Sequence, residues 1–292
     1  MSFLRKLFYI TIYTNLLIAM AAMAQCALTY IIFERSINWY IVLVEGTATL
    51  LLYNFSLWWS KPKNPKESKF PRTRWIFNHE WVMWLNNGIA LLVLGYCLWF
   101  IHIYSFLFLG FIGILSLLYG MPLFKFHDRK VGLRQIPGAK IFHIALVWVC
   151  SSVVLPYVEL ANVGVKIDQW VFIALCGLKF IFLVICTLPF DIRDIQQDSY
   201  YHLRTLPNML GEQKAKNLTY LLLGLHCVLI LTVPYTVPIK IGLILTNLLI
   251  FALLKLAVFK TKDHYHYAYL LDGSLVLQFL IVVLLVIFSP AA

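Results

Sequence analysis

The sequence predicts an all-α, polytopic integral membrane protein of about nine transmembrane helices. Three observations predict it. Hydrophobic residues make up 61% of the chain and charged residues 13%, with a mean hydropathy of +0.81, which excludes a soluble globular domain. The apolar residues fall in runs long enough to cross a bilayer, which needs about 20 residues of helix. The lysines and arginines are concentrated in alternate connections between those runs, as membrane topology demands. The net charge of +11 is therefore assigned to topology, and no nucleic-acid partner is expected. The six cysteines all lie in apolar stretches without a CxxC pair, so they read as small buried hydrophobes.

The apolar segments run approximately over 7–33, 37–60, 77–100, 102–121, 138–158, 168–190, 215–234, 236–258 and 267–289. The third and fourth are poorly separated at His102, and the seventh and eighth meet near Pro234 and Pro238, so eight spans is the alternative. Arg5 and Lys6 precede the first segment, and Ala22-Met23-Ala24 within it loosely resembles a signal-peptide cleavage site. The run continues to Phe33, too long for a signal core, and a retained first helix is expected. With nine helices, all of the 24 Lys and Arg except Arg35, Lys166, Lys179 and Lys240 fall on one side. That asymmetry predicts a cytoplasmic N-terminus, with the three longest loops (61–76, 122–137 and 191–214) on the same side. Residues 1–292 are expected to form a single transmembrane domain.

Polar residues inside the segments are the exceptions to explain. The second segment holds Glu45 and Asn54, placed on opposite faces of a helix by their spacing. The basic, proline-broken loop that follows suits anionic lipid, a diphosphate or topology alone. Lys125, Arg129 and Arg134, in the loop after Tyr119, could bind phosphate, and topology explains them equally well. Pro137-Gly138 restarts the chain into the fifth segment. Lys179, about 18 Å along the sixth segment from Asp191, is expected to form a structural ion pair with a partner such as Glu45. His264 and His266 are spaced for one face of a strand rather than a helix, so an aromatic belt capped by Asp263 is preferred to a metal pair. Asp272 lies a turn or two inside the ninth segment and could face the same cavity as Asp191.

The carboxylates cluster at one place, Asp191-Ile-Arg-Asp194-Ile-Gln-Gln-Asp198, followed by Arg204-Thr-Leu-Pro207. On a continuous helix Asp191, Asp194 and Asp198 share one face, where their mutual repulsion asks for a cation. Hard oxygen ligands suit Mg²⁺, and Arg193 and Arg204 suit diphosphate oxygens. The rival reading is a solvated polar loop between two membrane helices.

With the nine segments, this motif and its Thr-Leu-Pro…Gly211 tail resemble the UbiA superfamily of membrane prenyltransferases. The resemblance implies an all-helical bundle that transfers a prenyl group from an isoprenoid diphosphate to a lipid-soluble acceptor with Mg²⁺. It implies Asp191, Asp194 and Asp198 as catalytic metal ligands. It further implies substrate contacts from Asn54, Tyr119, Lys125, Arg129, Arg134, Arg193, Arg204 and Asp272, in a bacterial-type inner membrane. The family's first Asp-rich motif departs from the pattern. Asn54 is present, but no carboxylate follows it until Glu67. One metal with basic loops, substitution by Asp272 and Asp128, or loss of catalysis would each account for that. The rival functions are a non-catalytic isoprenoid- or quinone-binding or scaffold member, and a small-solute transporter using Glu45, Lys179 and Asp272. A CDP-alcohol phosphotransferase is set aside because its Asp-Gly-x-x-Ala-Arg start is absent.

Overall fold

A computed structural model of the chain describes residues 3–68, 71–120, 124–126, 129–131, 136–200, 203–260 and 269–289. The protein is an all-α, multi-pass membrane bundle. Helices α1 (Phe3–Tyr13) and α2 (Leu16–Ile32) lead into α3 (Trp39–Trp59). After a short α4 (Pro71–Asn78) come α5 (Glu80–Leu98) and α6 (Ile103–Gly120). An antiparallel pair, β1 (Phe124–Phe126) and β2 (Arg129–Val131), is the one sheet among the described residues. Then follow α7 (Ala139–Val149), α8 (Leu155–Asn162), α9 (Gln169–Arg193), α10 (Ile195–Tyr200) and α11 (Leu206–Leu210). Helices α12 (Glu212–Thr232), α13 (Val237–Leu253) and α14 (Tyr269–Ile287) complete the chain.

Seven spans are long and apolar enough to cross a bilayer among the described residues, and α1 with α2 makes an eighth if counted as one bent span. The remaining predicted segment is the shorter apolar helix Ile103–Tyr119. The first segment is therefore not one straight helix, because α1 and α2 are bent by 66° at Thr14-Asn15. Asn15 sits at φ 65°, a left-handed conformation that asparagine tolerates better than most residues. Its side chain is held there by Asn54 and Arg72, so tertiary hydrogen bonds fix a bend the local sequence does not demand.

The fifth segment runs as one span from Ala139 to Asn162 but loosens into a π turn at Cys150–Val154. The cause is Pro156, which has no N–H to offer the carbonyl four residues earlier, that of Ser152. Thr29 of α2 donates to that carbonyl instead, at 2.6 Å. A buried backbone oxygen in a membrane interior thereby keeps a partner. On the far side, α13 and α14 approach closely where Gly242 faces Val282, whose Cα would lie 3.1 Å from an added Cβ.

Helix α9 runs through the core, burying Leu178, Phe182, Leu183, Ile185 and Leu188. Lys179 on this helix does not pair with Glu45. It donates to Gln25 Oε1 at 2.6 Å and to the Gln25 carbonyl at 3.3 Å. Gln25 passes the connection to Gln278 Oε1 at 3.1 Å and to the Leu275 carbonyl at 2.8 Å. Glu45 instead hydrogen-bonds Ser151 in the π turn. The reason is helix order. α3 turns Glu45 toward the π turn, while α2 presents Gln25 to α9.

Candidate functional site

The site forms where the last turn of α9 meets the N-terminal turn of α7 and the bend between α1 and α2. α9 ends at Arg193, and Asp194 caps it outside helical geometry before α10 begins. This break divides the three aspartates expected on one face. Asp191 and Asp194 line a cavity of about 320 Å³, whereas Asp198 does not. Asp198 is nearly fully buried and is bonded at 3.1 Å to Lys140 Nζ, which also holds Asp191 Oδ1 at 2.7 Å. An ammonium thus stands between two of the carboxylates, where the sequence suggests a metal ion. Asp191 Oδ2 is buried and has no hydrogen-bond partner among the described residues. Arg193 forks onto Asp194 with bonds of 2.7 and 2.8 Å, and both line the cavity.

Lys140 owes its position to the start of α7. Gly138 takes a φ of 71°, which favours glycine, and its N–H donates to the Arg204 carbonyl at 2.8 Å. The Arg204-Thr-Leu-Pro207 tail is thereby locked to the first turn of α7. Arg204 contributes its backbone here, and its side chain is exposed and outside the cavity lining.

The opposite wall carries amides where the first Asp-rich motif would place carboxylates. Asn54 donates to Asn87 Oδ1 at 2.7 Å and accepts from Asn15 Nδ2 at 2.8 Å. Asn15 Oδ1 in turn accepts from Arg72 at 2.5 Å. Arg72 also donates to the Tyr13 carbonyl at 3.3 Å. Asn15 and Arg72 reach the cavity, whereas Asn54 acts behind them. Asp272 lines the cavity as well, within electrostatic reach of Arg72 and Arg193. The remaining walls are apolar and aromatic, among them Tyr53, Trp148, Leu183, Phe190 and Tyr269.

Tyr119 lies elsewhere. It stacks on His143 in a second cavity of about 380 Å³ between α3, α6 and α7. The two cavities share Tyr53, Ile144 and Trp148 as a partition. Lys125 and Arg129 stand on the antiparallel pair, opposite Lys130 and Phe126 respectively. Their side chains lie outside the described residues, as do Arg134, Asp128, His264 and His266.

No protein-family model matches the sequence, and no curated protein matches it. Solved structures do. The apo structure of a UbiA homolog from Aeropyrum pernix K1 superposes with a TM-score of 0.64 at 12% identity, over 92% of this chain and 96% of that one. A UbiA homolog from Archaeoglobus fulgidus bound to GPP and Mg²⁺ gives 0.63 at 12% identity, over 95% of this chain and 99% of that one. A digeranylgeranylglyceryl phosphate synthase gives 0.52 at 15% identity, over 96% and 97%. This chain has the UbiA fold.

The UbiA fold implies Mg²⁺, and the donor set tests the fit. No group of three or more His, Cys, Asp or Glu able to hold a metal ion occurs among the described residues. Three carboxylates line the cavity, Asp191, Asp194 and Asp272, and one of them, Asp191, keeps an unsatisfied buried oxygen. Mg²⁺ needs only one or two carboxylates when phosphate and water complete its shell. Of the Asp191–Asp194 pair, Asp191 Oδ2 is the oxygen left open to such an ion, because Lys140 holds Asp191 Oδ1 and Arg193 holds both oxygens of Asp194. The Asn15–Asn54 wall offers amides and a guanidinium, and fits an anion's oxygens better than a second cation.

Proposed function

We propose that this UbiA-fold protein is a membrane prenyltransferase acting on an isoprenoid diphosphate and a lipid-soluble acceptor, with one Mg²⁺. The observation that carries the reading is a single cavity with two unlike ends. One end gathers Asp191, Asp194, Arg193, Lys140 and Arg72, and the walls beyond it are aromatic and aliphatic. A diphosphate belongs at the first end and its allylic chain along the second.

Ionising an allylic diphosphate separates a carbocation from an anionic leaving group. Arg72 and Arg193 line the cavity and would donate to the diphosphate oxygens as that charge develops. Asp272 lines the same cavity within electrostatic reach of both guanidiniums. Lys140 holds Asp191 in place, so that Oδ2 remains directed away from Oδ1 and its ammonium partner. Mg²⁺ held by Asp191 and Asp194 would supply the further positive charge that the leaving group requires. Tyr53, Trp148 and Phe190 exclude water and offer ring faces to the allylic cation. The A. fulgidus homolog binds GPP and Mg²⁺ within the same fold, which supports this assignment. The whole chain would act as one domain, with the site opening to the cytoplasm of a bacterial-type inner membrane.

A non-catalytic isoprenoid- or quinone-binding role is the second reading. The carboxylate-free Asn54 wall and the neutralising Lys140 favour it. Binding of geranyl diphosphate to the purified protein, in Mg²⁺ and in EDTA, separates the two. Mg²⁺-dependent binding lost in Asp191→Ala and Asp194→Ala supports the transferase. Binding indifferent to metal and to both substitutions rejects it.

A further inference from the structure

Lys179 carries a charge that the bundle does not balance. It is 4% exposed on α9 and stands about 18 Å along that helix from Asp191, outside the carboxylate cavity. Its ammonium has three protons, and its two acceptors are both oxygens of the neutral Gln25. No carboxylate lies within ion-pair distance of it among the described residues. The acidic groups within its electrostatic reach are the thiols of Cys26 and Cys176, and a thiol is ordinarily uncharged near neutral pH. A buried ammonium without a counter-charge is costly.

A small cavity of about 20 Å³ lies against this side chain. Tyr235, His226 and Gln278 line it as well, among apolar residues of α2, α9 and α13. Tyr235 stands in the turn between α12 and α13, and its hydroxyl is buried without a hydrogen-bond partner among the described residues. His226, by contrast, is bonded through Nδ1 to the Asn247 amide at 2.9 Å. The cavity therefore brings together an ammonium proton and a hydroxyl that lack acceptors, and a positive charge that lacks a negative one.

We propose that this cavity binds one small monovalent anion, chloride in ordinary solution, between the Lys179 ammonium and the Tyr235 hydroxyl. Size and charge select it together. A water molecule needs about 10–15 Å³ of such space, so the cavity admits a body of that size or slightly larger and is too small for a phosphate or a lipid headgroup. Water would accept from both donors but leave the charge unbalanced, whereas chloride does both. The apolar walls strengthen the attraction by lowering the local dielectric. The anion would tie α9 to the α12–α13 turn, so the stability of the bundle should depend on it. The site is independent of the prenyl-transfer reading.

The test is the melting midpoint of the full-length protein in detergent as chloride replaces gluconate at constant ionic strength. A saturating rise of about 3 °C is expected, because an anion bound only by the folded state stabilises it by mass action. Bromide should act like chloride. Lys179→Met should abolish the dependence. Tyr235→Phe, which removes one oxygen, should raise the half-saturating chloride concentration about tenfold. Equal midpoints in chloride and gluconate overturn the proposal and leave a water or nothing in the cavity. A rise that does not saturate, or one unchanged in either variant, overturns it as well.

Discussion

Lys140 does at the carboxylate end what a bound cation does elsewhere. Asp191 and Asp198 are 3% and 2% exposed, and the ammonium between them is their shared counter-charge. Lys140→Met should therefore destabilise the protein on the order of 3 kcal/mol, because it leaves two buried carboxylates facing each other. Millimolar Mg²⁺ should restore part of that loss, read as a melting midpoint higher in Mg²⁺ than in EDTA. An equal midpoint in both would show that the vacated position takes no cation. Asn54→Asp is the converse case. The new carboxylate keeps the bond from Asn15 but turns an oxygen toward Asn87 Oδ1, and a loss of about 2 kcal/mol in thermal stability is expected. Asp191 and Asp194 were legible because carboxylates are scarce in this chain. Lys140 and Arg72 were not, because the topology rule already accounts for every basic residue in their loops. Nothing local marks the two that fold back onto the bundle, and only the packing of α7 on α9 selects Lys140.

Among the elements, the π turn and the α1–α2 bend show how the bundle pays for broken helix hydrogen bonds. Thr29→Val should cost about 1–2 kcal/mol by leaving the Ser152 carbonyl unpaired. In a Pro156→Ala background that carbonyl regains a partner within its own helix, so the same change should cost less. Thermal midpoints of the two single variants and the double variant measure the difference, and simple additivity would reject the coupling. Segment lengths were readable because bilayer thickness sets them. The bend was not, because Thr14-Asn15 lies inside an apolar run that reads as one helix from 7 to 33. Its determinants, Asn54 and Arg72, stand 39 and 57 residues away from Asn15. The break after Arg193 escaped for the same reason: three aspartates at helical spacing imply one face only while the helix continues.

For the whole molecule, hydropathy and charge asymmetry carried the fold, because a bilayer permits few ways to bury a backbone. They also predict orientation. A cysteine replacing Lys63 should be labelled by an impermeant maleimide only from the cytoplasmic side, and one replacing Lys166 only from the opposite side. Labelling of both from one side would overturn that arrangement. Tertiary pairing of polar groups was less readable, since Lys179 and Glu45 each had a closer neutral partner in Gln25 and Ser151. The amides behind Arg72 have a further consequence. From Asn87 through Asn54 to Asn15, each side-chain oxygen accepts from the member nearer the guanidinium, so all three dipoles point the same way. Such a chain polarises as a unit. A change at Asn87 would thus reach the guanidinium of Arg72 through two intervening amides, three residues along the chain of bonds.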